Sequence, residues 1–443
     1  MTPGRRVSTD HPADAIVTHR GPADLRTLDT PVDPAALVAA LADGEAPMLV
    51  RHDGVSVVGV DPVEQVRGRA VWDALERARP GAGRRDAPPG TTLAGGWVAL
   101  LAHDLAGTVE RLPDPVSWPA GPPSAWAGRY ETVAAIDDDG RCVVASVAGA
   151  EAADHLAARA ASCRPAERLG QAATRPVGSS LPGGAYERAV GRALEYIRAG
   201  DCYQVNLTQR LEVPWEEPAH EFARRLWGAA GPTAHRAYLG LAEGTVVSAS
   251  PELLVRRQGD RASTAPIKGT APPGDWERLR ASAKDRAEHV MIVDLMRNDL
   301  GRCAVPGGVR VSRLFERLTT PYVEHMVSEI TADLRAGVSA ADLLRAVFPG
   351  GSVTGCPKVR ALEVIRELEP VNRGPAFGSV VTVSPDGRLE ASVAIRTAWV
   401  ARGRAWYWCG GAVVWDSDPA AEHDEAWAKA APFLAATGAV RPA

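Results

Sequence analysis

The chain has 443 residues, 45% of them hydrophobic, which is enough for one large core or two ordinary ones. Its formal net charge is −4 at pH 7, so it lacks the basic footprint of a nucleic-acid-binding protein. The N-terminal region has no apolar run of the signal-peptide kind, and no stretch approaches the roughly 18 apolar residues of a membrane span. Neither a nucleic acid nor a membrane is expected as a partner.

Six cysteines are scattered along the chain without a CxxC pair. This spacing argues against a zinc site and against a disulfide framework, and it predicts a protein of the reducing cytoplasm.

The order of the elements predicts an α+β protein with a β-sheet core and helices outside. Short strand-like runs mixed with Ala/Arg-rich helices fill residues 1–165, and a segment rich in Pro, Gly and Ser follows at 166–184. Clear helices and strands then alternate over 185–443. We therefore expect an N-terminal subdomain, a linker and a catalytic domain with these bounds.

An amphipathic helix is predicted from residue 185, followed by the alternating strand CYQVNLTQRLEV. Its polar face carries Gln204, Asn206 and Thr208, which would point to solvent if the strand stood alone. The next strand region, 246–255, is interrupted at Ser250-Pro251-Glu252.

Lys268 lies in the short apolar stretch TAPIKGT, in a chain with only four lysines among its fifty basic residues. Where arginine has replaced lysine so widely, a remaining lysine marks a position that needs an amine. Glu252, sixteen residues earlier, is either a turn residue or the acid partner of a lysine nucleophile.

Two helices carry acidic residues on stripes that also hold apolar residues. One long helix is predicted over about 276–301 with Asp285 and Glu288, and a C-terminal helix carries Glu422, Glu425 and Lys429. Such carboxylates either pair with arginine or hold a hard cation such as Mg²⁺.

A glycine-rich turn at 348–358 lacks the spacing of a nucleotide phosphate loop and feeds a helix with Pro357 predicted at its first position. Its free N–H groups suit a carboxylate. Arg396, predicted in mid-strand between apolar residues, needs an anionic partner, and residues 410–419 form another glycine-rich approach.

These segments together resemble the chorismate-utilising enzymes, most closely the aminodeoxychorismate synthase component I group and next the anthranilate synthase component I group. The matching stretches are YIRAGDCYQVNLTQR, SASPELL, PIKGT, DRAEHVMIVDLMRNDLGR, VEHMVSEI, FPGGSVTGCPKVRALEVIRELEP, AIRT and DSDPAAEHDEAWAKA. They cover most of 185–435 in the family's order. The resemblance implies the family's fold, chorismate as substrate and Mg²⁺ as cofactor.

The resemblance also implies catalytic roles. In aminodeoxychorismate synthases the lysine matching Lys268 is a nucleophile that attacks C2 of chorismate, whereas anthranilate and isochorismate synthases typically carry alanine there. Glu252 matches the acid that helps the C4 hydroxyl to leave, and His325 matches a histidine near the reacting face. Gln204 stands where water-using relatives have a general-base lysine, so ammonia is the expected nucleophile at C4.

The same matching assigns the binding residues. Glu288 and Glu425 correspond to Mg²⁺ ligands, with Asp285 and Glu422 close by. The residues that correspond to carboxylate-binding positions are Arg396, Lys429, Thr354, Gly355 and Gly411. The chain departs from the family pattern at Cys356, Ala376 and Ala412, where a shifted pocket could alter the choice of substrate or product.

Two alternatives to an aminodeoxychorismate synthase remain: anthranilate or aminodeoxyisochorismate formation, and a non-enzymatic scaffold with a drifted pocket. The missing LLES-like segment, here MLVRH, weakens the anthranilate alternative. No cysteine lies in the G-x-C-x-G elbow of a glutaminase. A separate glutamine amidotransferase subunit is therefore the expected source of ammonia.

Overall fold

The computed structural model describes residues 16–19, 24–78, 95–164, 170, 174–319 and 324–442. The strands of this part are β1 Ile16–His19, β2 Asp24–Leu28, β3 Met48–His52, β4 Val55–Gly59, β5 Glu64–Arg67, β6 Gly96–Leu101, β7 Ala125–Tyr130, β8 Thr132–Ile136, β9 Cys142–Ser146, β10 Gly178–Ser179, β11 Gln204–Pro214, β12 His235–Leu241, β13 Gly244–Ser250, β14 Leu253–Gln258, β15 Arg261–Ala265, β16 Ile267–Ala271, β17 Ala304–Thr319, β18 Glu324–Leu334, β19 Gly355–Cys356, β20 Ser379–Val383, β21 Leu389–Val393, β22 Thr397–Ala401 and β23 Arg404–Val413.

The α-helices of the same ranges are α1 Pro34–Ala40, α2 Ala70–Arg77, α3 Ala150–Ser162, α4 Ala185–Arg198, α5 Ala219–Ala230, α6 Trp276–Ala281, α7 Ala283–Gly301, α8 Ala340–Val347, α9 Lys358–Leu368, α10 Pro419–Lys429 and α11 Ala431–Thr437. Short 3₁₀ helices lie at His103–Thr108 and Gly351–Val353. None of these helices is both long enough and apolar enough to cross a membrane.

Two antiparallel sheets organise the described chain. The larger has the order β1-β2-β9-β8-β4-β3-β12-β13-β22-β23-β11-β10, with β19 added on β11. The smaller has the order β16-β18-β15-β14-β21-β20-β6-β7-β5, with β17 on β18. Buried apolar residues of both sheets and of the covering helices join in one large core cluster. The α+β fold predicted from the sequence, with a sheet core and helices outside, is confirmed.

Both sheets mix strands from before and after the proposed linker. In the larger sheet β3 pairs with β12, and in the smaller one β6 pairs with β20. The linker itself lies partly outside the described residues. Division into an N-terminal subdomain and a catalytic domain stays a prediction, because hydrogen bonding joins the two parts in each sheet.

Several local predictions are confirmed and two need correction. Helix α4 and strand β11 form where expected, and Ser250-Pro251-Glu252 separates β13 from β14. The single long helix predicted from residue 276 is wrong: Ser282 breaks it into α6 and α7. The extended backbone of Ser282 ends α6, and its hydroxyl accepts the Asp285 N–H as the N-cap of α7.

The start of α9 also differs by one residue from the prediction. Pro357 has φ −65° and ψ 142°, so it is the N-cap residue and the helix begins at Lys358. A proline loses no helical hydrogen bond at this place, since the N–H it lacks would have had no partner in the helix.

Candidate active site

Lys268 is positioned on β16, which pairs with β18 in the smaller sheet. Its Nζ lies 3.1 Å from Oε1 of Glu288 and 3.5 Å from the carbonyl oxygen of Ser352. Glu288 comes from α7, and Ser352 from the 3₁₀ turn before β19. The lysine is thus held between two elements that are distant in sequence, with most of its side chain buried.

Glu252 lies in the break between β13 and β14 and is 5% exposed. Burial raises the pKa of its carboxyl group, while the nearby Ser352 hydroxyl and the charge of Lys268 partly oppose the rise. Its Oε1 has no hydrogen-bond partner among the described residues. A carboxyl group in this environment is suited to holding a proton and donating it to a substrate oxygen.

His325 lies on β18, the strand that pairs with β16. Its Nδ1 is 3.3 Å from the carbonyl oxygen of Gly269, the residue that follows Lys268. Burial lowers the pKa of His325, the Gly269 carbonyl opposes this, and the positive charge of Arg396 lowers it further. The structure therefore brings His325 to the lysine strand and keeps it in the neutral form near neutral pH.

Arg396 is not in mid-strand, contrary to the prediction from its apolar neighbours. It occupies the connection between β21 and β22 with φ +50°, a left-handed conformation that is uncommon for arginine. Its half-buried guanidinium makes no ion pair or hydrogen bond within the described part of the chain. A guanidinium held this way is suited to binding a carboxylate from the substrate.

Helix α10 places its acidic residues against the glycine pair of β23. A Cβ atom built on Gly411 would lie 3.0 Å from Oε2 of Glu422, 3.7 Å from Oε1 of Glu425 and 3.6 Å from Nζ of Lys429. A side chain at 411 would crowd Oε2 of Glu422, whereas the distances to the other two groups are ordinary contacts. Glycine therefore leaves Glu422 room where the helix approaches the sheet.

The charges on α10 are strongly coupled. Burial raises the pKa of Glu422 and the charge of Glu425 adds to the rise, although the Ser417 hydroxyl donates a 2.6 Å hydrogen bond to Oε1 of Glu422. For Glu425, burial is outweighed by Lys429, whose Nζ lies 2.7 Å from Oε1, and by Lys268, so its pKa is lowered.

The acidic side chains of α7 and α10 have the chemistry that a divalent cation takes, although no three of their ligand atoms lie within 4.8 Å of one another. Glu288 contacts Lys268, and Glu425 is close enough to the same lysine for its pKa to respond to the lysine charge. Crowding of like charges at Glu422 and Glu425 is a situation that Mg²⁺ would relieve. Asp285 lies in the first turn of α7, with its Cβ 3.7 Å from a Cβ built on Gly269. All four predicted metal residues thus lie on the two helices that face Lys268.

The polar face of β11 is buried rather than exposed to solvent. Gln204 is fully buried, and neither its Oε1 nor its Nε2 has a hydrogen-bond partner among the residues described. Gly355 follows Thr354 and has φ +138°, and a Cβ there would lie 2.1 Å from the Gln204 carbonyl oxygen. Only glycine permits this approach of β19 to β11.

A buried ion pair between Glu369 and Arg373 fixes the segment that contains Thr354 and Gly355. Both oxygens of Glu369 bind the Arg373 guanidinium, at 2.7 and 2.9 Å, and Oε1 also accepts the N–H and hydroxyl of Thr208. Arg373 in turn donates to the carbonyl oxygens of Asn206 and Val353. The pair therefore ties β11, the end of α9 and the residue before Thr354 to one another.

His289 was missed in the sequence, although it directly follows Glu288. It is fully buried; burial and the nearby charge of Lys268 lower its pKa to about 4. Its Nε2 lies 2.7 Å from the Ser328 hydroxyl, and its Nδ1 has no partner in the described chain. Because α7 has apolar residues all along this face, the sequence suggests only a core position for the residue.

A second buried polar group lies at the contact of the two sheets, where β3 and β12 meet β14 and β21. It is the one described set of three histidine, cysteine or acidic residues with converging ligand atoms: His52, His235 and Glu390. The two Nδ1 atoms are 3.1 Å apart and the ring centroids 5.4 Å apart, so the nitrogens point at each other along the line between the rings. Arg256 binds both oxygens of Glu390. Oε1 of Glu390 also lies 3.2 Å from Nδ1 of His52 and 3.6 Å from Nδ1 of His235, so the three atoms are close enough to share protons in a network or to hold a metal ion.

All six cysteines are free thiols in the structure. A buried acid, a lysine and the acidic residues of α7 and α10 together suit an enzyme that acts on a small anionic substrate. The model of the chorismate binding enzyme family matches residues 44–435, and the chain belongs to that family.

Individual relatives agree with this assignment. Aminodeoxychorismate synthase component 1 of Salmonella typhimurium is 38% identical over 349 residues, 77% of this chain and 76% of that protein. Anthranilate synthase component 1 of Thermus thermophilus is 38% identical over 402 residues, 87% and 84% of the two chains. The crystal structure of anthranilate synthase component I from Streptococcus pneumoniae superposes with a TM-score of 0.72 at 25% identity, covering 98% of this chain and 95% of that one.

Proposed function

We propose that the protein aminates chorismate at C4, forming 4-amino-4-deoxychorismate on the route to p-aminobenzoate. Identity alone does not choose between the two relatives named above, since both are 38% identical to this chain. The observation that carries the choice is Lys268, a largely buried amine 3.1 Å from a carboxylate, at the position where the resemblance predicts alanine for anthranilate formation.

The chemistry proceeds in two substitutions. Neutral Lys268 forms a bond from Nζ to C2, both double bonds of the ring diene shift by one position, and the C4–O bond breaks. Glu252 gives its proton to the departing hydroxyl, which leaves as water. Ammonia then forms a bond to C4, both double bonds shift back, and the bond from C2 to Nζ breaks, which restores the lysine amine; the proton that the new C4 nitrogen gives up returns to Glu252.

The amine must lose its proton before it can attack. An unperturbed lysine has a pKa of about 10.4, and only about 0.04% of it is neutral at pH 7. The Glu288 carboxylate lies 3.1 Å from this amine. When bound by Glu288 and Glu425, Mg²⁺ would neutralise this charge and the ring carboxylate of the substrate. Arg396 and Lys429 would hold the substrate carboxylates.

Gln204 supports ammonia over water as the nucleophile. An amide cannot remove a proton from water, so the site lacks the general base that a hydrolytic relative needs at this position. A separate glutamine amidotransferase subunit would supply the ammonia. Anthranilate or aminodeoxyisochorismate is the alternative product, favoured by the equal identity to the Thermus enzyme.

The deciding experiment identifies the product formed from chorismate, Mg²⁺ and ammonium by mass and ultraviolet spectrum. We expect aminodeoxychorismate, which retains the enolpyruvyl group. Anthranilate, which has lost pyruvate, would overturn the proposal.

A further inference from the structure

Two histidines of the larger sheet face an acid of the smaller sheet. His52 ends β3 and His235 begins β12, and they lie opposite each other, one step beyond the pair of Arg51 with Arg236. Glu390 lies in β21 of the smaller sheet. All three side chains are buried, at 5% exposure or less. Polar groups buried together in this way need partners for their lone pairs and their charge.

The ligand atoms of these three residues form a nearly regular triangle. The two histidine Nδ1 atoms lie 3.1 Å apart, and Oε1 of Glu390 lies 3.2 Å from Nδ1 of His52 and 3.6 Å from Nδ1 of His235. A tetrahedral zinc ion bound at about 2.0–2.1 Å holds its ligand atoms about 3.3–3.4 Å apart. The three separations average about 3.3 Å, so a single ion fits within bonding distance of all three atoms.

A neighbouring threonine leaves Nδ1 of His52 with a lone pair. The hydroxyl of Thr382, on β20, donates to the main-chain carbonyl oxygen of Glu390 at 3.3 Å and lies 3.4 Å from Nε2 of His52. Because the hydroxyl proton is used on the carbonyl, its oxygen accepts the proton of Nε2. Nδ1 then faces the carboxylate of Glu390 as one acceptor facing another, and a cation resolves this. Outer hydrogen bonds of this kind orient metal-binding histidines.

The charges around this group leave one negative charge for a cation. Arg256 binds both oxygens of Glu390, and Oδ2 of Asp53 lies 2.5 Å from the same guanidinium. Asp53 therefore offsets the arginine, and histidines are neutral when they bind a metal. Asp53 is exposed, in the turn that follows His52, so the group lies close beneath the surface and an ion has a short path to it.

We propose that His52, His235 and Glu390 bind a zinc ion that joins the two sheets. The residues suit this ion in kind, since imidazole nitrogen and carboxylate oxygen are ligands that zinc takes, and water completes the tetrahedron. The ion links β3 and β12 to β21 and stabilises the contact between the sheets. This site is separate from the acidic residues of α7 and α10, and the proposal does not depend on the amination of chorismate.

The test uses the full chain, stripped of metal with a chelator and titrated with Zn²⁺ in excess Mg²⁺. The Mg²⁺ occupies sites made of oxygen ligands and competes poorly for imidazole. We expect one tightly bound zinc ion per chain, counted by elemental analysis after gel filtration, and a Tm that rises with zinc concentration. Cobalt(II) in place of zinc should give the strong visible absorption of a tetrahedral site.

Variants separate the ligands from their surroundings. His52→Gln and His235→Gln should lose the rise in Tm and weaken zinc binding by more than about 100-fold, the upper range for loss of an outer partner. Thr382→Val should weaken it by about 10–100-fold. His155→Gln, at an exposed position on α3, is the matched control and should bind zinc as the wild type does. Circular dichroism checks the fold of each variant.

A wild-type chain that retains no zinc would refute the proposal, and so would both histidine variants binding zinc as tightly as the wild type. The weak absorption of octahedral cobalt would also count against the site. The wild-type measurements decide the matter even where a histidine variant does not fold.

Discussion

The amine of Lys268 lies 3.1 Å from the carboxylate of Glu288, so the candidate nucleophile and a candidate metal ligand form an ion pair. A cation bound by Glu288 would compete with the lysine for the same oxygen. Metal binding would then release the amine from this ion pair and place a positive charge beside it. Under the proposed function, binding of the cation and release of the nucleophile would be coupled through this one contact.

The first prediction concerns Lys268. Lys268→Ala should lose most aminodeoxychorismate formation and remain folded, and Lys268→Arg should be equally inactive because a guanidinium keeps its charge at all accessible pH values. Product analysis at saturating chorismate, with circular dichroism as the folding control, checks this. Full activity of either variant would remove the covalent mechanism; some anthranilate from the alanine variant would not.

The second prediction concerns the metal. Turnover should require Mg²⁺, and Glu288→Gln or Glu425→Gln should raise the Mg²⁺ concentration for half-maximal activity by about tenfold or more, because each removes a charged oxygen ligand. Glu277→Gln, at an exposed position on α6, is the control. Undiminished turnover in excess chelator would refute the assignment of both glutamates.

The third prediction concerns the acid. Since burial raises the pKa of Glu252, its carboxyl group stays protonated to a higher pH than that of an exposed glutamate, and donation fails as pH rises through that pKa. When rates are expressed per concentration of free ammonia, kcat/KM should therefore fall with rising pH. Glu252→Gln should lower kcat/KM about 10²–10⁴-fold and remove its decrease with rising pH. Glu252→Asp should keep the fall, and a glutamine variant of normal rate would exclude the role.

The fourth prediction concerns ammonia. The isolated chain should use ammonium but not glutamine, and at fixed total ammonium its turnover should increase as pH rises toward about 9, because free ammonia is the minority species near neutrality. Adding the glutaminase should confer glutamine use. Glutamine-dependent turnover by the purified single chain would show that the ammonia source lies within it.

The fifth prediction concerns stability in acid. Burial would raise the pKa of Glu390, but the hydrogen bonds and charges of His52 and Arg256 outweigh it and lower the pKa to about 2. A lowered pKa stabilises the fold above the unfolded value of about 4.3, by about 3 kcal/mol at most, and this is lost as pH falls toward 2. Tm should drop over that range in the wild type and less steeply in Glu390→Gln, whose Tm at pH 7 is already lower. Parallel pH profiles would contradict this.

Sequence reasoning succeeded where a pattern is local. The alternation of β11, the interruption at Glu252 and the helix from residue 185 follow from short-range periodicity and proline chemistry. The anomaly of Lys268 was visible in composition alone, and the structure places that residue beside Glu252 and Glu288. The roles of these residues are set by the resemblance and await the variants described above.

Other features could not be predicted from the sequence because they depend on tertiary contacts. Apolar neighbours made Arg396 look like a strand residue, and nothing in the sequence encodes its positive φ. Ser282 breaks a helix that propensity would continue. His52, His235 and Glu390 meet from three strands separated by more than 150 residues at each step, and no spacing rule links them.

Each sheet pairs strands from distant parts of the chain, and this affects folding during synthesis on the ribosome. Strand β6, GWVALL, is fully buried, and Trp97 pairs with Val383, 286 residues further along. At about 5–20 residues per second, the ribosome delivers that partner roughly 15 to 60 s after β6 emerges. Throughout that interval an apolar strand waits with one edge open to other nascent chains. Yield in cells should therefore depend on chaperone holding of the first hundred residues and improve at lower protein concentration or slower initiation.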